Sequence, residues 1–194
     1  MRKILSLLVA SGICLSVSAQ TFNDIAQKKD DKGFLFSIPI KAKCDMQVNI
    51  SPLANKYNVA TCAKECFSSN KGVNKSLKGS NHRLLYNSKL RLGFLFSETY
   101  DDMSLGAKIY KISGEDFKEL CDLPFAAYTS ENGERMNYNN ILPYISVIRS
   151  GERILMFFNT PIVVKNPNQS DEEILESKDF YFELSDKGFI MKKY

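Results

Sequence analysis

Tyr144-Ile145-Ser146-Val147-Ile148-Arg149, then Ser150-Gly151-Glu152, then Arg153-Ile154-Leu155-Met156-Phe157-Phe158 is the stretch that decides the fold class. Two β-branched and aromatic runs flank a Gly-containing turn, the pattern of a β-hairpin. The second run is apolar almost without interruption, which predicts a strand covered on both faces. Ile162-Val163-Val164 carries the β character past Asn159-Thr160-Pro161. Further on, Phe180 to Leu184 and Phe189 to Lys193 flank Ser185-Asp186-Lys187-Gly188, a second hairpin signal with Gly where a positive φ is expected.

Upstream, Ala107-Lys108-Ile109-Tyr110-Lys111-Ile112 alternates in side-chain type and ends at Ser113-Gly114, a strand and a turn. Arg83 to Phe96 reads as strand, as does Gly33 to Ile40, where Pro39 demands an edge or an end. The pentapeptide Gly33-Phe34-Leu35-Phe36-Ser37 recurs as Gly93-Phe94-Leu95-Phe96-Ser97, but the flanks differ and no third copy exists, so two independent aromatic strands are the simpler reading. Asn55 to Phe67 is the best helix candidate. Ser170 to Ser177, with Ser170 as N-cap and Glu173 as its capping-box partner, is a second. Ser68 to Ser80 is a polar loop. The expectation is a mostly β or α+β chain with an antiparallel sheet, sandwich or barrel-like, and one or two short helices.

The N-terminus carries an address. Arg2 and Lys3 precede an apolar run from Ile4 to Val17, and Val17-Ser18-Ala19 has the spacing that signal peptidases accept, which places a cut after Ala19. The run is about 14 residues long, against roughly 20 for a spanning helix, and Ser and Gly dilute it. Ile13 before Cys14 does not fit lipoprotein processing. The organisation expected is a signal peptide over 1–19, a loose lead-in over 20–32, and one β-rich domain over 33–194, exported to the periplasm or the extracellular space without stable membrane insertion.

Loss of Arg2, Lys3 and Cys14 halves the formal charge of +4 and leaves an even set of cysteines, Cys44, Cys62, Cys66 and Cys121. In an oxidising compartment that set predicts two disulfides. Cys62 and Cys66 are separated by three residues, where thioredoxin chemistry uses two, and with a single His a zinc site would have to recruit Cys44 and Cys121 without a second short spacing. Each is therefore expected to bond outward, one to Cys44 and the other to Cys121. No metal and no cofactor is implied.

His82, the one histidine, lies at the end of a polar loop and reads as solvent-exposed, with a general base as the rival reading. A Gly-x-Ser-x-Gly elbow, a phosphate-cradling Gly loop and a calcium loop are all lacking. The adjacent acids Asp101-Asp102, Glu115-Asp116 and Glu172-Glu173 would diverge on either a strand or a helix. Charge is segregated, however. Lys71, Lys75, Lys78, Arg83, Lys89 and Arg91 fall in a window from Cys66 to Ser97 without an acid, whereas Asp171, Glu172, Glu173, Glu176, Asp179, Glu183 and Asp186 crowd the last quarter. Such a basic stretch suits an acidic protein or an anionic envelope component. With only Phe67 and Tyr86 ahead of its last strand it lacks a stacking platform for nucleic acid. The pattern favours a non-enzymatic binding protein, inhibitor-like or immunity-like. An envelope hydrolase using carboxylates or His82, and a carrier of a small hydrophobic ligand, are the alternatives.

Overall fold

A strand that is buried at every position needs a covering layer on each face, and residues 93–98, apolar except for Ser97 and Glu98, are buried throughout. The computed structural model describes residues 19–30, 33–41, 44–51, 56–62, 64–69, 81–114, 116–131 and 135–194. The first strands are β1 (Gln20–Thr21), β2 (Asn23–Asp24), β3 (Gln27–Asp30), β4 (Gly33–Lys41), β5 (Cys44–Ser51), β6 (Lys56–Thr61) and β7 (Lys64–Ser69). Then come β8 (His82–Asn87), β9 (Leu92–Asp101), β10 (Met103–Ser113), β11 (Asp116–Leu123), β12 (Phe125–Glu131) and β13 (Arg135–Asn139). The last are β14 (Ile145–Ser150), β15 (Arg153–Phe158), β16 (Ile162–Lys165), β17 (Glu173–Glu176), β18 (Phe180–Ser185) and β19 (Gly188–Lys193). Two 3₁₀ turns, Leu142–Tyr144 and Ser177–Asp179, are the only helical elements among the described residues, and none could cross a membrane.

The strands form four antiparallel sheets in three layers. The middle layer is the sheet β11-β10-β9-β8-β2. On one side lies the outer sheet, the meander β3-β4-β5-β6-β7, drawn from one unbroken stretch of sequence. On the other lie the sheets β1-β14-β15-β18-β19 and β13-β12-β16-β17. Period-two alternation divides the middle sheet cleanly. Leu84, Tyr86, Leu95, Tyr110 and Ile112 enter the core shared with the outer sheet, while Leu85, Phe94, Phe96, Ala107 and Ile109 enter the core shared with the other two. The latter is an aromatic lattice in which Phe125, Phe158, Phe180 and Phe182 meet at centroid distances of 5.4–6.1 Å. Each buried Phe contributes about 2–3 kcal/mol by removing apolar area from water.

The β class, the antiparallel pairing and both hairpins are as the sequence implies. The strand covered on both faces is β9, however, and not β15. Leu155 and Phe157 are half-exposed because their sheet is an outer layer. Residues 55–67, expected to be helical, contain β6 and β7 instead. Tyr57, Val59 and Thr61 are buried at every second position, and Cys62 turns the chain with φ 51°. The acidic stretch 170–177 is likewise not a helix: Ile174 and Leu175 pair with Val164 and Val163, adding β17 to a sheet edge. Tertiary pairing overrides local propensity at both places.

The two pentapeptide copies are not equivalent. Phe36 of β4 points into the outer core, whereas Phe94 and Phe96 of β9 point into the opposite core. Pro39 lies past the end of the β3 pairing, where its missing N–H costs no ladder bond, and the β4–β5 register slips immediately after it.

One disulfide is present, Cys44–Cys62, with a Cα separation of 4.7 Å. Cys121 is a free thiol, which corrects the expected second bridge. It packs against Gly188 of β19, on the far side of the middle sheet from the outer-sheet cysteines. Burial pushes its thiol pKa up, and the Phe189 backbone contact opposes that shift. Cys66 lies in β7, and its side chain is outside the described residues, as are residues 1–18, which hold the signal-peptide expectation. The bridge closes a loop of sequence separation 18, so replacing Cys44 and Cys62 together by Ser should cost about 3 kcal/mol in urea denaturation. A loss below about 1 kcal/mol would mean that the outer sheet does not depend on its staple.

Candidate functional site

His82 opens β8 and is 7% exposed, which corrects the expectation of a solvent-exposed loop residue. The register pairs it with Ser97, and Ser97 with Lys108, so the three side chains form a row on the face of the middle sheet that meets the outer sheet. The Ser97 Oγ lies 3.0 Å from the His82 Nδ1. Tyr57, projecting from β6 of the outer sheet, donates its hydroxyl to Ser97 Oγ at 2.8 Å. The Phe34 ring meets the imidazole edge-on at 4.8 Å. Desolvation lowers the His82 pKa from 6.5 to about 4, so the ring is neutral at neutral pH. Burial also raises the pKa values of Tyr57 and Tyr110.

A serine hydroxyl on an imidazole is the geometry of a nucleophile and its base, but the surroundings do not support catalysis by it. Ser97 is 0% exposed, and among the described residues His82 Nε2 has no partner and hence no orienting third group. The cluster is an internal polar tie between two layers. Sequence inspection could not find it, because Ser97 ends an aromatic pentapeptide and nothing local marks it as a partner of His82.

The basic residues separate into different roles. Arg83 is directed inward: its Nε and Nη2 donate to the two Asp24 carboxylate oxygens at 2.6 and 2.9 Å, and its Nη1 donates to the carbonyls of Leu142 and Ile145 at 2.6 and 2.7 Å. The guanidinium holds the Asp24 carboxyl below the usual range, against a partial desolvation cost. Arg83 is thus a structural clamp and not part of an exposed contact. Lys89 and Arg91 are exposed on the turn between β8 and β9. Lys71, Lys75 and Lys78 lie outside the described residues.

That turn has neighbours at the same end of the layers. Gly114 N–H donates to the Arg91 carbonyl at 2.9 Å, bringing in the β10–β11 turn. Lys89 borders a polar groove of about 370 Å³ with Gln20, Thr21, Asn23 and Asn87. Gln20 pairs with Arg149, whose hairpin turn also carries Arg153. Lys89, Arg91, Arg149 and Arg153 therefore collect at one end, with Asp116 and Glu152 diluting their charge.

The acids of the last quarter divide between local hydrogen bonds and the rim of one groove. Glu172 accepts the Tyr138 hydroxyl at 2.7–2.8 Å and the Asn168 N–H at 2.7 Å, and Glu173 pairs with Lys165 at 3.4 Å. Glu173, Glu176 and Asp179 rim a groove of about 490 Å³ floored by Leu175, Phe180 and Met191. Among the described residues, no group of three or more His, Cys, Asp or Glu side chains could hold a metal ion.

These features define an antiparallel layered β protein with an internal hydroxyl–imidazole tie and a basic end built from turns. No protein-family model, curated protein or solved structure matches the chain.

Proposed function

We propose that this chain is an exported, non-catalytic binding protein, periplasmic or extracellular, that recognises a protein with an acidic surface through its basic end. The observation that carries this reading is the convergence of the Lys89–Arg91 turn with Arg149 and Arg153 from a strand pair distant in sequence. Charges grouped on turns stay hydrated in the free protein and steer an oppositely charged partner without a large desolvation cost. The Cys44–Cys62 bridge suits an oxidising compartment, where such a partner would be met. The sealing of Ser97 and His82 beneath the outer sheet favours binding over hydrolysis by that pair.

The test is retention of a partner from envelope extract by the immobilised chain, compared with the double variant Lys89→Glu, Arg91→Glu. Retention should fall about tenfold for the variant, and association should slow as salt rises. A partner held equally by both forms and indifferent to salt would place the contact elsewhere.

A further inference from the structure

We infer that the outer sheet, β3 to β7, is an acid-loosened layer: protonation of His82 raises the frequency with which it opens from the middle sheet while the opposite core stays folded. The two cores are built differently. The core beneath β9 is an aromatic lattice, whereas the core under the outer sheet has a polar centre made of Tyr57, Ser97, His82 and Tyr110. One atom of that centre, His82 Nε2, is buried without a hydrogen-bond partner among the described residues. An unpartnered buried polar atom weakens the state that buries it.

The groups around the imidazole make its cation unwelcome from every side. From β9 it meets the neutral Ser97, which in turn accepts from the neutral Tyr57 of β6, and from β4 the Phe34 ring, on which Lys29 of β3 sits at 5.2 Å. Tyr110 of β10 packs on Tyr57 at 4.9 Å. Along the same row Lys108 adds positive charge, already paired with Glu119 and Asp122. Strand alternation turns the Glu98 carboxylate to the opposite face, where Asn81 holds it at 2.7 Å. No carboxylate among the described residues faces His82. A proton on Nε2 therefore finds no acceptor among the described residues, and lifting the layer would hydrate it. The outer sheet is suited to lifting as a unit, because it is a single meander stapled internally by Cys44–Cys62 and is joined to β2 and β8 only at its two ends.

The sign follows from the lowered folded-state value. The intact layer binds fewer protons than the opened one, so its advantage is complete above pH 6.5 and is lost as the pH falls from 6.5 towards 4. At pH 4.5 the opening equilibrium should have risen roughly 60-fold over its value at pH 7 by this linkage.

Amide hydrogen exchange of the full chain between pH 7 and 4.5, corrected for intrinsic rates, tests the inference. Strands β4, β5 and β6 should lose about 60-fold in protection and exchange in a step that leaves β14, β15 and β18 protected. His82→Gln, which retains a hydrogen-bonding amide without the proton site, should abolish the acid dependence. If that variant does not fold, the imidazole titration of the unmodified protein followed by NMR decides, because a folded-state pKa near 6.5 would overturn the inference. Exchange of all layers in a single step, or protection of β4 to β6 unchanged at pH 4.5, would overturn it equally.

Discussion

Gly106→Ala should lower stability by more than about 4 kcal/mol. Gly106 has φ +123°, a conformation that L side chains rarely adopt. A Cβ built there would lie 2.2 Å from the Leu123 carbonyl oxygen, 2.8 Å from the Phe125 nitrogen and 2.9 Å from the Pro124 Cα. All three are main-chain atoms at the step where the chain leaves β11 of the middle sheet for β12 of the layer below. A flexible side chain could swing aside, but this backbone is held by Phe125 pairing with Lys165 and by the Leu123 and Phe125 side chains in the core. Backbone strain of about 1–3 kcal/mol combines with a displacement of the crossover, so a loss above about 4 kcal/mol is expected. Gly114 and Gly151 provide the contrast. Each has φ 62° in a turn with nothing within 4 Å of the would-be Cβ, so Ala there should cost about 1 kcal/mol. Thermal unfolding of the three variants measures the difference. If Gly106→Ala behaved like the two turn variants, the close approach at the crossover would be wrong.

That crossover also marks where sequence reading stops. The hairpin at 145–158 was legible because its two runs and its Gly turn are neighbours, and Ser185 to Gly188 announces the β18–β19 turn for the same reason. The three-layer arrangement was not legible. A buried run such as Gly93 to Glu98 says that two covers exist, not which segments supply them, and the covers here come from residues before and after it in the chain. Residues 55–67 misled because Tyr57, Val59 and Thr61 signal a strand only once Cys62 is known to be tied to Cys44 across the sheet. Cys121 misled through parity, since an even cysteine count says nothing about which side of a sheet each thiol occupies. The basic window was visible as composition, yet its division into an inward Arg83 and an outward Lys89 and Arg91 depends on strand alternation and on an acceptor, Asp24, remote in sequence. His82 was likewise hidden: its polar neighbours precede it, while its covering layer comes from β4 and β6.

Arg83→Met should lower stability by about 2–4 kcal/mol, and Arg83→Lys should recover only a minor part of the loss. The guanidinium joins three segments at once: Asp24 in β2, its own strand β8, and the Leu142 and Ile145 carbonyls at the 3₁₀ turn before β14. Charge-assisted bonds of this length are each stronger than neutral ones, and removing the donor leaves a carboxylate and two carbonyls short of a partner beside the buried Leu142 and Ile145. Met fills much the same volume, so the loss reports the bonds and not a cavity. Lys has one ammonium in place of a planar fork and cannot reach Asp24 and both carbonyls together. Asp24→Asn should cost less, about 1 kcal/mol or below, because the Asp24 side chain is 62% exposed and solvent screens the pair. In thermal scans the Met variant should melt roughly 5–15 °C lower than the parent. Were Asp24→Asn as damaging as Arg83→Met, the ion pair would be the dominant bond, and the carbonyl contacts that tie the middle sheet to the layer beneath it would contribute little.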